Sequence, residues 1–256
     1  MINNFLYNNN FNSFINYFVP IFTRIIGIIY IAPVFSEKIV SYKIKMFFSI
    51  ILTFFLCSFL PRGYILHFSF IGVLVIFQEF VIGFFIGLTF KLIFVISSFC
   101  GDIIGTQMGL SFATFFDVNN RYFIPIVLRL INYCTYMVFF IFNMHLWVIS
   151  VLVKSFYTIP IGSFILKNKF LNLVFFFSNV FIQGLKMFFP VILLLIILNL
   201  VFLFLNRILI PAFFFSLNFS LFLLFGMLFL YSFFPLFIIN FKIAMQKILF
   251  FLLDII

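Results

Sequence analysis

Charged and catalytic residues are scarce in this chain, and their scarcity excludes several classes of protein. Only 8% of the 256 residues are charged, against about a quarter in soluble domains, and 66% are hydrophobic. His67 and His145 have no carboxylate or cysteine at metal-ligand spacing, and nothing marks an activated nucleophile near Asp102 or Asp117. We therefore expect a membrane protein that is not an enzyme and binds no metal or other cofactor.

Cysteines and clustered basic residues are also lacking. Cys57, Cys100 and Cys134 are odd in number, far apart and in or beside apolar stretches, which predicts buried, inert thiols. The net charge is +10, but the lysines and arginines are spread thinly along the chain. This spacing argues against nucleic-acid binding and favours contact with anionic lipid or a positive-inside topology.

Long hydrophobic runs dominate what is present. A helix needs about 20 apolar residues to cross a bilayer. With no internal repeat, soluble domain or linker, the sequence predicts an all-α, polytopic membrane protein with a single helical membrane domain, residues 1–256. Kinks are expected at Pro190, Pro211 and Pro235. The predicted apolar segments are 14–35, 44–60, 64–100, 123–153, 170–205 and 208–241.

Segment 64–100 is too long for one straight crossing and leaves two topologies open. If every segment crosses once, five lysines and arginines fall on one side and six on the other, which decides nothing. If the segment folds back near Glu79–Gly83, the count becomes eight against three, as the positive-inside rule favours. We therefore hypothesise a buried helical hairpin there, with residues 101–122 towards the outer side.

Several polar residues interrupt the apolar segments. Each charge costs about 2.5 to 3.5 kcal/mol at a helix centre, so these side chains should face protein or water. The favoured role is ion pairing or hydrogen bonding at interfaces between helices or subunits. The alternative is a proton or ion path through Glu79, although relays normally use several carboxylates. The residues are Arg24, Glu79, Lys91, Arg129, Lys186, Asn199, Asn206 and Arg207.

Small residues recur at every fourth position in one part of the sequence. Spacing of four keeps side chains near one face of a helix, where a neighbouring helix can approach closely. This pattern predicts close packing and by itself says nothing about chemistry. The stripe consists of Ser97, Gly101, Gly105, Gly109 and Ala113, and Gly83 and Gly87 repeat the spacing upstream.

Residues 101–118, GDIIGTQMGLSFATFFDV, closely resemble the signature stretch of the FliR family of flagellar biosynthetic proteins. The resemblance continues, in the family's order and spacing, across nearly the whole chain. The other matching blocks are RIIGIIYIAPVFSEK at 24–38, FNMHLWVIS at 142–150, TIPIG at 158–162 and LNLVFLFLNR at 198–207.

This resemblance implies a subunit of the flagellar type III protein-export gate, in the bacterial inner membrane and the flagellar basal body. Its implied partners are FliP-like, FliQ-like and FlhB-like subunits, membrane lipid and unfolded exported proteins. The implied architecture is a spiral hetero-oligomer built from bent helical hairpins. The alternatives are a virulence-type homologue of the same subunit and a stand-alone secondary transporter that uses Glu79 and Lys91.

The resemblance also implies a plug, a loop that projects into the channel and limits leakage until a substrate passes. An apolar constriction of this kind resists ions by dewetting. Carried over by position, the plug consists of Gln107, Met108, Gly109, Leu110, Ser111, Phe112, Ala113, Thr114, Phe115 and Phe116.

Overall fold

The computed structural model of the chain describes residues 2–33, 35–36, 40–59, 70–110, 114–117, 122–163, 167–208 and 211–255. These residues are helical except for turns and one short antiparallel hairpin. The helices are α1 (Ile2–Ile31), α2 (Tyr42–Phe59), α3 (Phe70–Gln107), α4 (Ile126–Ile141), α5 (Met144–Thr158), α6 (Lys167–Ile208) and α7 (Pro211–Ile255). The strands are β1 (Thr114–Asp117) and β2 (Tyr122–Pro125).

The apolar helices confirm a polytopic membrane protein. Within the described ranges, four helical stretches are long and apolar enough to cross a bilayer: Tyr42–Phe59, Ile71–Gln107, Phe177–Leu205 and Ser220–Leu252. The bent pair α4 and α5 adds a fifth crossing if it forms one span. The predicted first segment, 14–35, contains a shorter apolar helix, Asn16–Ile31, which falls below the length of a span.

The hairpin predicted within segment 64–100 is wrong. Helix α3 runs unbroken from Phe70 to Gln107, through the proposed turn at Glu79–Gly83. No proline interrupts this stretch, and the glycines in it accommodate neighbouring helices instead of turning the chain. The distribution of eight lysines and arginines against three assumed that turn, so it no longer supports the predicted topology.

The apolar segment predicted over 123–153 is not one continuous helix. Its first residues form β2, and its helical part breaks after Ile141 into α4 and α5, which are bent by 65° to each other. Asn143 has a φ of 52° at this break. Asparagine tolerates the left-handed region better than other non-glycine residues, so it can turn the chain without glycine or proline.

Two of the three prolines lie inside helices, and the third begins one. Helix α6 continues through Pro190, and α7 continues through Pro235. Pro211 is the first residue of α7, where its missing N–H leaves no helical hydrogen bond unmade. Pro211 therefore begins a helix, whereas a kink was predicted.

The described residues form two compact units. The first comprises Met1–Lys91, His145–Phe176 and Ile248–Ile256, and the second comprises Leu92–Met144 and Phe177–Lys247. The single domain inferred from the sequence stays a prediction.

Each unit has its own apolar core. The core of the first unit contains Ile21, Ile25, Ile82, Phe90, Val151 and Leu152. The core of the second unit contains Ile96, Ile104, Met108, Phe139, Phe188 and Phe241. All three cysteines are free thiols; Cys57 and Cys100 are buried, whereas Cys134 is only half-buried, short of the burial predicted for it.

Candidate functional site

A buried ion pair joins α1 to α3 in the first unit. The Arg24 Nε donates to Glu79 Oε2 at 2.6 Å, and the Arg24 Nη2 lies at the same distance from that oxygen. Both side chains are 0% exposed. Both charges are buried, so removing either side chain would leave the other charge buried without a counterion, which is strongly destabilising.

The remaining donors of Arg24 reach the end of α5 and the turn that follows it. Nη1 donates to the main-chain oxygen of Ser155 at 2.8 Å, and Nη2 donates to that of Ile159 at 3.0 Å. The guanidinium also stacks over the ring of Phe156, 4.2 Å from its centroid. Arg24 therefore connects three segments that are distant in sequence. The sequence offered no signal for the main-chain acceptors, because any residue type supplies them.

Glu79 and Lys91 do not form one site. Both lie on α3, twelve residues apart, and at 1.5 Å per residue this separation is about 18 Å along the axis. Glu79 is bound by Arg24, whereas Lys91 is half-buried. This separation argues against a transport site that uses the two residues together.

Helices α1 and α3 touch through their backbones at two glycines. A Cβ added to Gly27 would lie 2.6 Å from the carbonyl oxygen of Phe80, and one added to Gly83 would overlap the carbonyl oxygen of Arg24. Gly87 is also close, since its added Cβ would lie 3.0 Å from the carbonyl oxygen of Ile28. The four-residue spacing pointed to Gly83 and Gly87 but missed their counterpart on α1.

The stripe continues along α3 in the second unit, where the packing becomes looser. A Cβ at Gly101 would lie 3.1 Å from the Cα of Leu128, whereas one at Gly105 would make ordinary contacts of 3.4 and 3.7 Å with Val127. Ser97 is buried.

Two further close glycine contacts of this unit were missed by the sequence pattern. A Cβ at Gly184 would lie 2.8 Å from atoms of the Ile96 side chain. A Cβ at Gly226 would come similarly close to the side chain of Met108. Both are isolated glycines within long apolar helices, a signal that could have identified them.

The last residues of α3 are tied to α6 and α7. The Asn199 amide of α6 donates a hydrogen bond to Gln107 Oε1. Met108 is 0% exposed, and a Cβ on Gly226 of α7 would lie 2.6 to 2.9 Å from its side chain. Gly226 thus leaves the space that the methionine fills. Together these contacts hold residues 107 and 108 against α6 and α7.

Immediately after Met108 the chain changes direction. Gly109 has a φ of 71°, in the left-handed region that favours glycine. Thr114–Asp117 then pair with Tyr122–Pro125 as β1 and β2, in the register Thr114 with Pro125 and Asp117 with Tyr122. The sequence predicted no strand here. Of the predicted plug residues, Ser111, Phe112 and Ala113 lie outside the described residues, as do the side chains of Thr114, Phe115 and Phe116.

The other polar residues singled out from the sequence have varied environments. Arg129 is half-buried, and its Nε donates to the Tyr133 hydroxyl at 3.1 Å. Lys186 and Arg207 are exposed on the single chain, so their burial in an interface stays a prediction about an assembly. The side chain of Asn206 lies outside the described residues.

The chain matches the protein family described as "Bacterial export proteins, family 1" over residues 15–248. This range includes Arg24, Glu79 and the end of α3. The chain belongs to this family. Curated relatives named "Flagellar biosynthetic protein FliR" confirm the resemblance to the FliR family.

The FliR relatives match along most of their own length. The protein from Buchnera aphidicola subsp. Acyrthosiphon pisum is 37% identical over 93% of this chain and 92% of its own. The protein from Escherichia coli K12 is 38% identical over 75% of this chain and 73% of its own. The one from Pectobacterium carotovorum is 38% identical over 73% and 72%. Membership of the FliR family, together with the membrane-spanning helices, identifies an inner-membrane protein.

Proposed function

We propose that this chain is a subunit of the flagellar type III protein-export gate and forms channel wall and plug together with FliP-like and FliQ-like subunits. Unfolded flagellar proteins would pass through the shared channel, driven by other parts of the apparatus. The family description names export, and the relatives' names specify flagellar biosynthesis. Those names favour the flagellar branch over the virulence-type alternative.

The observation that carries the plug assignment is the geometry at the end of α3. Gln107 and Met108 are held by Asn199 and Gly226, and Gly109 then redirects the chain. The plug would therefore have a fixed base followed by a bend that glycine adopts without strain.

Assembly is tested by co-expressing the tagged chain with the FliP-like and FliQ-like proteins of the same genome, followed by purification in mild detergent and native mass spectrometry. We expect a discrete hetero-oligomer that contains all three subunits. A stable monomer or homodimer that leaves the other two behind would contradict the gate assignment.

The plug is tested by Gly109→Val in that assembly. A β-branched residue at positive φ is strained by about 1 to 3 kcal/mol. This strain should displace the predicted plug from its closed position. We expect reduced secretion of flagellar proteins and a raised ion leak through reconstituted gates.

Thr106→Val is the matched control for this variant. Thr106 is exposed on the last turn of α3, and its hydroxyl bonds only to the Ile103 carbonyl oxygen. Normal secretion and tight membranes with Gly109→Val would refute the plug assignment, provided that the hetero-oligomer still forms.

A further inference from the structure

Helices α6 and α7 leave a polar groove between them in the second unit. The groove has a volume of about 140 Å³. Two exposed lysines stand at it, one from each helix, beside two side-chain amides. Its lining includes Gln183, Lys186, Met187, Asn240, Ala244 and Lys247.

The groove has positive charge without a counterion from the described residues. Among the described residues, neither Lys186 nor Lys247 takes part in an ion pair. The whole chain contains only five acidic residues against fifteen basic ones, so it supplies few carboxylates for them. An anion from outside the chain would complement both lysines.

An unpaired amide in the groove is a second, independent sign of a ligand. The Gln183 Oε1 is buried and has no hydrogen-bond partner. A buried polar atom without a partner costs about 1 to 3 kcal/mol, so such atoms normally face a ligand or water. The two ends of an amide group can exchange positions, which lets Gln183 either donate to a phosphate or accept from a hydroxyl.

The spacing of charges along α6 and α7 bears on the kind of anion that can reach the groove. No charged residue occurs between Lys186 and Arg207, a stretch of about 20 residues, the length needed to cross that layer. None occurs between Arg207 and Lys242 on the returning helix. Lys186 thus ends the charge-free part of α6, and Lys247 lies five residues beyond Lys242, which ends that of α7. Long lysine side chains near the ends of apolar stretches extend to the lipid headgroups, where a phosphate can meet them.

We propose that this groove binds the headgroup phosphate of an anionic phospholipid. Lys186 and Lys247 neutralise the phosphate, and the amides of Gln183 and Asn240 hydrogen-bond its oxygens and the glycerol hydroxyls. Ile243, which also lines the groove, is exposed, as are other apolar side chains on both helices near it, so acyl chains have a surface to pack against. This proposal does not rest on the gate assignment.

The test uses the full-length chain purified in mild detergent, with phosphatidylglycerol or phosphatidylcholine added and bound lipid counted by native mass spectrometry. Lys186→Gln combined with Lys247→Gln removes the charge of the groove. Each lysine near a membrane surface contributes about fivefold to anionic lipid binding, so the preference for phosphatidylglycerol should fall about 25-fold. Lys186→Arg combined with Lys247→Arg should keep it.

The matched control is Lys43→Gln combined with Lys154→Gln, two exposed lysines outside the groove. This control has the same net charge as the groove variant Lys186→Gln with Lys247→Gln, and it should retain most of the preference for phosphatidylglycerol. An equal loss in both double variants would show a diffuse charge effect and overturn the proposal. An unchanged preference in the groove variant would overturn it as well.

A carboxylate of another protein chain is the competing anion, and the same variants distinguish it. If the lone chain shows no preference for phosphatidylglycerol, and the groove variant also fails to form a hetero-oligomer with co-expressed FliP-like and FliQ-like subunits, the groove is a protein interface and the lipid site is refuted.

Discussion

Glu79→Ala should lower the free energy of unfolding by about 3 to 5 kcal/mol, the loss typical of breaking a buried ion pair from one side. The substitution leaves the Arg24 guanidinium fully buried and without its counterion. The remaining partners of Arg24 are main-chain oxygens and the Ser155 hydroxyl, which are dipoles and cannot neutralise it. Thermal unfolding of the detergent-purified protein measures the effect.

Gln78→Ala is the matched control for Glu79→Ala. Gln78 is the preceding residue of α3, and its Nε2 donates to the main-chain oxygen of Ser163. Losing this single neutral hydrogen bond should destabilise the protein by only about 1 kcal/mol. Arg24→Met combined with Glu79→Met should recover most of the loss, because a buried pair can often be replaced by apolar side chains. If Glu79→Ala is no worse than Gln78→Ala, the pair does not stabilise the unit.

Gly83→Ala should destabilise the protein by about 1 to 3 kcal/mol, the usual penalty of overpacking. The new Cβ would overlap the carbonyl oxygen of Arg24. A main-chain oxygen cannot rotate away as a side chain does, so α1 must move away from α3. That movement would also stretch the bond between Arg24 and Glu79.

Gly105→Ala makes the same chemical change on the same helix with the opposite expected sign. Its Cβ would make ordinary contacts with Val127, and alanine is favoured over glycine in a helix by about 1 kcal/mol. The melting temperature of Gly105→Ala should therefore equal or exceed that of the wild type. If both variants behave alike, the close crossing of α1 and α3 at Gly83 is incorrect.

Hydrophobicity alone predicted the fold class and the approximate position of most helices. Segments 44–60 and 170–205 end within three residues of α2 and α6. The break at Asn143 and the strands β1 and β2 were not predictable in this way. A run of apolar residues reports how easily a stretch enters lipid, whereas it says little about a turn made by one asparagine or about strand pairing.

The sequence predicted parts of the candidate site and missed others, for identifiable reasons. Arg24 and Glu79 were identified because they are charged residues within apolar segments. Gly83 was identified by its four-residue spacing from Gly87. The partner glycine, Gly27, has no spacing signal of its own. Pairing across 55 positions, as between Arg24 and Glu79, depends on how helices pack, which no local pattern encodes. The plug assignment came from resemblance and stays a prediction.

The contacts between Arg24 and the end of α5 have an evolutionary consequence. Arg24 binds main-chain oxygens of residues 155 and 159, and every amino acid has such an oxygen. The residue identity at 159 can therefore change while the contact persists, as long as the turn keeps its shape, whereas a change of the buried Ser155 would also remove a hydroxyl contact with Arg24. Positions 24 and 79 have no such freedom, because a change at either one leaves the other charge buried without its counterion. The number of tolerated residue types should thus differ within one network. It should be large where a main-chain oxygen accepts the hydrogen bond, and small where two side chains must be complementary in charge.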